Sequence, residues 1–317
     1  MREVILEALR CPASGAALHR EGDELVAAGG KHRYPLHAGR IPLFAEAPAS
    51  RDAARQQHHY DQLAPLYLEN LAYPHTEAYA AQLDRIFLEV LGEAPLGRVA
   101  ELCCGQGEAL GLLQDRIDAG VGVDISLAML EAAAARLPED RTAVVQGDAT
   151  CLPLGDEQFD CVFMFGGIHH VADRNGLFRE VARILVPGGR FVWREPVSDF
   201  PLWRLLRALI YRWSSALDHE TERPLLYAET VPPLERAGLS LRSWRTCAFL
   251  GFCLLMNSDV LVVNRGLRFV PGIRRLAEWA ARFDEWCVHL PALQRAGLQV
   301  VGCAQKPGEV ASGIPNA

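Results

Sequence analysis

Lysine is nearly absent. Lys31 and Lys306 are the only two among 32 basic residues, which leaves 30 arginines. Acidic residues number 39, for a net charge of −7. That balance speaks against a nucleic-acid binder held by its overall field, although a local basic patch stays open. No cysteine pair has CxxC spacing: the nine lie at 11, 103, 104, 151, 161, 247, 253, 287 and 303. The opening Met1-Arg-Glu-Val-Ile-Leu-Glu has no apolar core of a signal peptide. Reduced cysteines in a cytoplasm are therefore the expectation, not a disulfide framework. Long hydrophobic runs are missing as well. The longest, Ala248 to Met256, is nine residues, against ~20 needed to cross a bilayer. Spanning is excluded on that count; peripheral contact is not. What remains is a chain of 317 residues, 50% hydrophobic and 22% charged. That is the balance of a globular protein of two units, or of one α/β domain with additions.

Three textures follow one another. Residues 1–46 are rich in Gly and Pro with short strand-like pieces, Glu24-Leu-Val and Gly39-Arg-Ile-Pro-Leu-Phe44. Residues 47–92 have helical spacing, with Leu83, Ile86, Phe87, Val90 and Leu91 on one face and a stop at Gly92. From Gly97 strands alternate with helices. Strands are expected at 98–103, 120–124, 143–146, 159–165 and 190–193, and helices at 108–117, 126–137 and 174–185, the second capped by Ser126. This alternation predicts βαβ units and a parallel sheet, which binds ligands outside the carboxyl ends of its strands. Beyond Trp193 two helical insertions are expected, at about 199–231 and 249–287. Each precedes a helix-to-strand connection, Leu234-Glu-Arg-Ala-Gly-Leu239 and Leu293-Gln-Arg-Ala-Gly-Leu298. Residues 194–282 hold 13 arginines and 9 acids, so this stretch is mildly basic at 13 − 9 = +4.

The chemistry sits at the strand ends. Glu101-Leu-Cys-Cys-Gly-Gln-Gly107 joins a strand to a helix through small residues, so backbone can approach a ligand and helix N–H groups face it. Asp124 ends the next strand, where a carboxylate can accept hydrogen bonds from both hydroxyls of a ribose. Gly147-Asp148 ends the third.

In these motifs the chain resembles the class I S-adenosylmethionine (SAM)-dependent methyltransferases, of the group that methylates quinones, over roughly residues 97–310. Glu101-Leu-Cys-Cys-Gly-Gln-Gly stands at the acid-led, glycine-rich first motif, and Val123-Asp-Ile-Ser-Leu-Ala-Met129 at the second strand end. Gln146-Gly-Asp-Ala149 with Leu152-Pro-Leu, Phe159-Asp-Cys-Val-Phe, and Leu185-Val-Pro-Gly-Gly-Arg complete five matches in order. The resemblance implies an α/β, Rossmann-like seven-stranded sheet with helices on both faces and a helical cap. It implies SAM as co-substrate and no metal. Gly105 and Gly107 would pass the methionine portion with Glu101 near its amino group. Asp124 would hold the ribose, Ile125 and Met129 would flank the adenine, and Asp148 with Ala149 would meet its amino edge. Phe165, at the end of the fourth strand, joins this cofactor set. One departure is Cys103, which occupies a position where glycine is usual and narrows the turn; with Cys104 it also reads as a small buried filler.

Tyr60-Asp-Gln-Leu-Ala-Pro-Leu-Tyr67 resembles the helix that closes over SAM in this group, so Tyr60 and Tyr67 would cover the cofactor or simply pack the helix on the sheet. Gly166-Gly-Ile-His-His170 follows the fourth strand, where the family places residues beside the transferred methyl. Tyr60, His169 and His170 are the catalytic candidates, with either histidine a general base or a structural contact. Glu195, Trp203, Trp213 and Tyr227 are the substrate-binding candidates, Glu195 either binding an amine or pairing with an arginine. Leu9-Arg-Cys-Pro-Ala-Ser-Gly and Tyr34-Pro-Leu-His-Ala-Gly-Arg-Ile-Pro-Leu-Phe44 resemble a Trm112-like zinc ribbon. Only Cys11 of its ligands remains, with Ser14 at the second position, and one thiolate cannot hold a structural zinc.

Three units are thus expected: a degenerate ribbon at 1–46, a helical lid at 47–92 and a catalytic domain at 93–317. The expected activity is in-line methyl transfer to a small-molecule nucleophile of secondary metabolism, in a cytoplasmic monomer or homodimer with no membrane partner. Two alternatives stay open. One is a SAM-consuming cyclase that closes the aminobutyrate arm, of azetidine-carboxylate type, and releases methylthioadenosine. The other is an rRNA or tRNA base methyltransferase, against which the lost zinc ligands and acidic total speak.

Overall fold

A computed structural model describes residues 3–46, 50–205, 223–256 and 262–308. Seven strands form the central sheet: β5 (Leu96–Leu102), β6 (Ile117–Asp124), β7 (Thr142–Gln146), β8 (Phe159–Phe165), β9 (Leu185–Pro196), β10 (Ser240–Cys247) and β11 (Gln299–Gln305). Their order is β10-β11-β9-β8-β5-β6-β7, with β11 antiparallel to both neighbours. The run β9-β8-β5-β6-β7 is parallel throughout. Strand order reverses between β5 and β8, so the switch-point crevice opens where β5 and β8 end, at Leu102 and Phe165.

The first six helices are α1 (Glu3–Leu6), α2 (Arg51–Leu71), α3 (Pro74–Leu91), α4 (Glu108–Leu112), α5 (Leu127–Arg136) and α6 (Arg174–Ile184), of which α2, α4 and α5 contribute to the crevice. Later come Tyr227–Arg236, Leu250–Leu255 and Ile273–His289. Ser126 caps α5 through a side-chain bond from Met129 N, as expected. Helix α4 stops five residues earlier than the apolar pattern suggests. Residues 113–116 turn the chain, and Ile117, Ala119, Val121 and Val123 then alternate with period two, all buried in β6. Both faces of the sheet carry core: Leu102, Val162 and Trp193 pack on one side, Phe87, Val99 and Phe163 on the other.

The N-terminal strands β1 (Leu18–Glu21), β2 (Glu24–Ala27), β3 (Arg33–His37) and β4 (Ile41–Pro42) make an antiparallel sheet in simple order. It lies against β7, the open edge of the main sheet. Phe44 N donates to Gln146 O at 3.0 Å, Arg10 N to Pro153 O at 2.9 Å and Gly155 N to Ala8 O at 2.8 Å. Ile5, Leu9 and Leu25 join one buried cluster with Leu152, Leu154 and Val145. This unit therefore protects an edge strand with unpaired backbone groups. All nine cysteines are free. Among the described residues no set of three or more His, Cys, Asp or Glu could hold a metal ion, and no helix is long and apolar enough to cross a membrane.

Candidate functional site

A cavity of about 430 Å³ occupies the switch-point crevice, within the size range of small-molecule sites. Its floor is the β5–α4 turn, its sides are the ends of β6, β7 and β8, and its roof is α2. Of the cofactor candidates, Tyr60, Tyr67, Glu101, Cys103, Gly105, Asp124, Ile125, Met129, Asp148, Ala149 and Phe165 all line it, together with His170.

The floor is built around two glycines and a cysteine with positive φ: Cys103 at +49°, Gly105 at +51° and Gly107 at +76°. Gly107 does not line the cavity. It starts α4, and a Cβ there would lie 2.6 Å from Leu137 Cδ1. Cys103 is left-handed at the position where the resemblance implies glycine, and its side chain fills space that Gly167 leaves vacant. A Cβ on Gly167 would stand 2.6 Å from Cys103 Cβ. The cysteine thus does not simply narrow the turn; the glycine opposite accommodates it.

Glu101 is buried and accepts the first amides of α4, Ala109 N and Leu110 N, both at 2.9 Å. Burial pushes its carboxyl up to about 8 against the pull of these amides. Asp124 accepts Gly105 N at 2.8 Å and Ser126 N at 2.9 Å, one on each oxygen. Each oxygen keeps a lone pair for a ligand hydroxyl. Burial raises the Asp124 carboxyl above its ordinary range.

Helix α2 is fixed over the crevice by Asp61, which accepts Ser126 Oγ at 2.6 Å and Ala128 N at 3.3 Å. A carboxylate there also meets the positive end of α5. Sequence reasoning missed Asp61, although its place between Tyr60 and Gln62 on a lid helix put it in reach. It likewise missed the roof residues Ser50, Asp52 and Gln56 and the wall residues Gln106, Glu108, Thr150 and Asp173.

Tyr60 Oη and His170 Nε2 share a hydrogen bond of 2.7 Å at the cavity wall. Burial holds the His170 ring well below the usual histidine range, so it is neutral at pH 7. His169 turns away, its Nδ1 2.8 Å from Glu195 Oε2. The two rings meet at a tilt of 41° with centroids 3.8 Å apart.

The structure does not bring the described substrate-binding candidates to this cavity. Glu195 is fully buried beneath the β8 turn, where its Oε1 accepts Gly167 N at 2.6 Å and Ile168 N at 2.8 Å. It shapes the loop that carries the histidines and does not reach the cavity. The neighbouring arginine, Arg194, does not pair with it. Arg194 points to the opposite face, over the Phe165 ring at 4.2 Å and onto Asp84 and Glu108 at 2.6 and 2.9 Å. Trp203 is buried elsewhere, its Nε1 donating to Ala296 O at 2.6 Å and its ring edge-on to Phe249. Tyr227 packs on Trp244 away from the cavity. Alternating strand faces explain the β9 placements: successive residues point to opposite sides of the sheet. Trp213 lies outside the described residues.

The wall electrostatics are one-signed. Asp52, Asp124, Asp148 and Asp173 line the cavity beside Glu101, which burial keeps largely protonated at pH 7, and Glu108, which Arg194 neutralises; no Lys or Arg lines it among the described residues. Such a wall suits a cationic or neutral ligand and repels a polyphosphate, which speaks against the dinucleotides that similar folds bind.

Residues 100–193 match the family described as Methyltransferase domain. Methyltransferase GfsG of Streptomyces halstedii is 29% identical over 203 residues, 58% of this chain and 72% of that protein. The 2-phytyl-1,4-naphtoquinone methyltransferase of Synechococcus elongatus is 32% identical over 138 residues, 41% of this chain and 59% of that one. A 37.1 kDa protein of a Streptomyces fradiae transposon is 32% identical over 177 residues, 51% of this chain and 50% of that protein. Among solved structures, the [4+2]-cyclase SpnF superposes with a TM-score of 0.55 at 18% identity, over 82% of this chain and 98% of that one. The fold is thus the Rossmann-like fold of methyltransferases, and SpnF has it too. The Trm112-like reading of residues 1–46 gains no support from these likenesses.

Proposed function

We propose that this chain transfers a methyl group from S-adenosylmethionine to a small-molecule nucleophile. The observation that carries the proposal is the acid-lined cavity at the switch point, with no Lys or Arg among its described lining residues; its floor and sides fall in the stretch that matches the methyltransferase domain, while its roof comes from α2 outside it. GfsG and the naphthoquinone enzyme are both methyltransferases, which favours methyl transfer over the other uses of this fold.

When bound, SAM supplies a methyl group already activated on a cationic sulfur. Asp124 would hold ribose hydroxyls, Asp148 with Ala149 would meet the adenine edge, and Glu101 would stand near the amino end. The protein's main contribution is alignment, which supplies of order 7–11 kcal/mol in favourable cases. An acceptor that arrives protonated needs a base. The neutral His170, bonded through Nε2 to Tyr60 Oη, is the group on the wall able to take that proton. His169 and Glu195 act as positioning residues for this pair, and α2 excludes water from above. The wall charge selects acceptors without phosphate groups.

Calorimetry with SAM and S-adenosylhomocysteine tests the cofactor. Mass spectrometry of an incubation with candidate acceptors tests the reaction. S-adenosylhomocysteine together with a product heavier by one methylene supports methyl transfer; methylthioadenosine identifies cyclisation instead, and absence of binding to either ligand overturns the proposal.

A further inference from the structure

Outside the cavity lining, the helix Ile273–His289 is apolar on two faces. One is buried: Ile273, Ala277, Ala280, Ala281 and Cys287 pack toward α3 and the helix Leu250–Leu255. Its rotation is fixed by Asp284, fully buried, which accepts Phe249 N at 2.7 Å, Gly251 N at 2.8 Å and Phe252 N at 2.9 Å, and bonds Tyr79 Oη. The other face is exposed. Leu276, Trp279, Phe283, Trp286 and Leu290 recur at spacings of three and four, with Trp279 64% and Trp286 61% exposed. Their rings form a row, Trp279 to Phe283 at 5.7 Å and Phe283 to Trp286 at 6.0 Å. Phe269, 76% exposed, sits just before the helix. An exposed row of this size, with two tryptophans, marks an interaction surface.

Charge decides what it meets. Arg275, Arg282 and His289 run along the solvent side of the row at seven-residue intervals, all exposed. Neither arginine has an ion pair among the described residues. The acids of the same helix are engaged away from the row: Glu285 with Arg85 and Arg245, Glu278 with Arg274. A second copy docked on this row with antiparallel helices, the two-fold axis at Phe283 in the middle of the row, would set Arg282 beside its own counterpart. An anionic surface removes that conflict and accepts the tryptophans at headgroup depth.

We infer that the outward face of Ile273–His289 docks the protein on an anionic lipid surface, with the helix in the plane of the headgroups. The helix is 17 residues long and interrupted by arginines, so it lies on the bilayer without crossing it. The inference is independent of the activity proposed above.

The test is co-sedimentation of the full chain with vesicles of phosphatidylcholine alone and with one-third phosphatidylglycerol. Binding is expected to the anionic vesicles, with a blue shift of tryptophan emission, and to fall steeply at high salt. Each arginine near an anionic surface contributes about fivefold, so Arg275→Gln with Arg282→Gln lowers affinity about 30-fold. Trp279→Ser with Trp286→Ser abolishes it while S-adenosylhomocysteine binding, measured in parallel, stays unchanged. No anionic-vesicle binding overturns the inference. So does a concentration-dependent doubling of mass that the tryptophan substitutions remove, which identifies a second copy as the occupant.

Discussion

Cys103 and Gly167 are one packing unit made from two positions. A left-handed cysteine costs about 1 kcal/mol relative to glycine, and a Cβ at position 167 would collide with it. Gly167→Ala is therefore expected to destabilise by about 1–3 kcal/mol and to loosen the cavity floor. Cys103→Gly in that background removes this collision but not the approach to Met164 Cε at 2.7 Å, and so restores part of the loss, whereas alone it changes stability by about 1 kcal/mol or less. Thermal unfolding of the two single variants and the double variant gives the coupling; strictly additive losses refute it. The same scale holds the proton-handling pair. Activity should fall as pH drops through the depressed His170 pKa, because only the neutral ring accepts a proton. That limb therefore lies below the ordinary histidine value of about 6.5. Tyr60→Phe is expected to lower kcat roughly 10–100-fold, with binding of S-adenosylhomocysteine nearly unchanged. A pH–rate profile and a calorimetric titration of the variant check both parts.

Among the elements, the lid and the sheet differ in how well the chain announces them. Strand β8 and helix α5 are legible to within a residue or two, since buried runs and a serine cap are local signals. The local pattern of β9 marks only Arg190 to Trp193, yet the strand has 12 residues. Its ladder to β8 continues across Pro187-Gly-Gly189 with a register shift that no local pattern reveals. The cofactor wall is readable because motif residues sit at strand ends. The substrate side is not: Glu195 is singled out by its place after the fifth strand and Trp203 and Tyr227 by theirs in the helical cap, and their direction depends on strand register and on which helix covers them. Asp61 belongs here, since it ties α2 to the first turn of α5. Asp61→Ala should raise KM for SAM about 3–10-fold, corresponding to the loss of about 1 kcal/mol of hydrogen bonding. Asp61→Asn, which keeps an oxygen in place, should recover part of it. Equal KM values for all three proteins would show that the lid is held by other contacts.

At the scale of the whole molecule, the buried acids make stability depend on pH in the direction opposite to a paired carboxylate. Burial pushes Glu195 up to about 7 and Glu101 up to about 8, against an ordinary value of 4.5. At these two carboxyls the folded state therefore holds more protons than the unfolded chain between about pH 4.5 and 8, outnumbering the proton that neutral His170 forgoes below about 6.5, and their contribution to unfolding free energy falls as pH rises through that window. A tenfold difference in proton affinity between the folded and unfolded chain corresponds to about 1.4 kcal/mol, so the two groups together remove several kcal/mol between about pH 5 and 8. The melting temperature of the ligand-free protein should be highest near about pH 5 and decline toward about pH 8. Glu195→Gln flattens the part of the decline up to about pH 7 and leaves the Glu101 part in place. A cation held in the cavity favours ionised Glu101, so SAM should bind more tightly as pH rises from about 6 to 8, and added SAM should reduce the slope of melting temperature against pH. A melting temperature that climbs from about pH 5 to 8 without ligand would mean that these amide-bonded carboxylates are ionised throughout, held down by their backbone donors despite their burial.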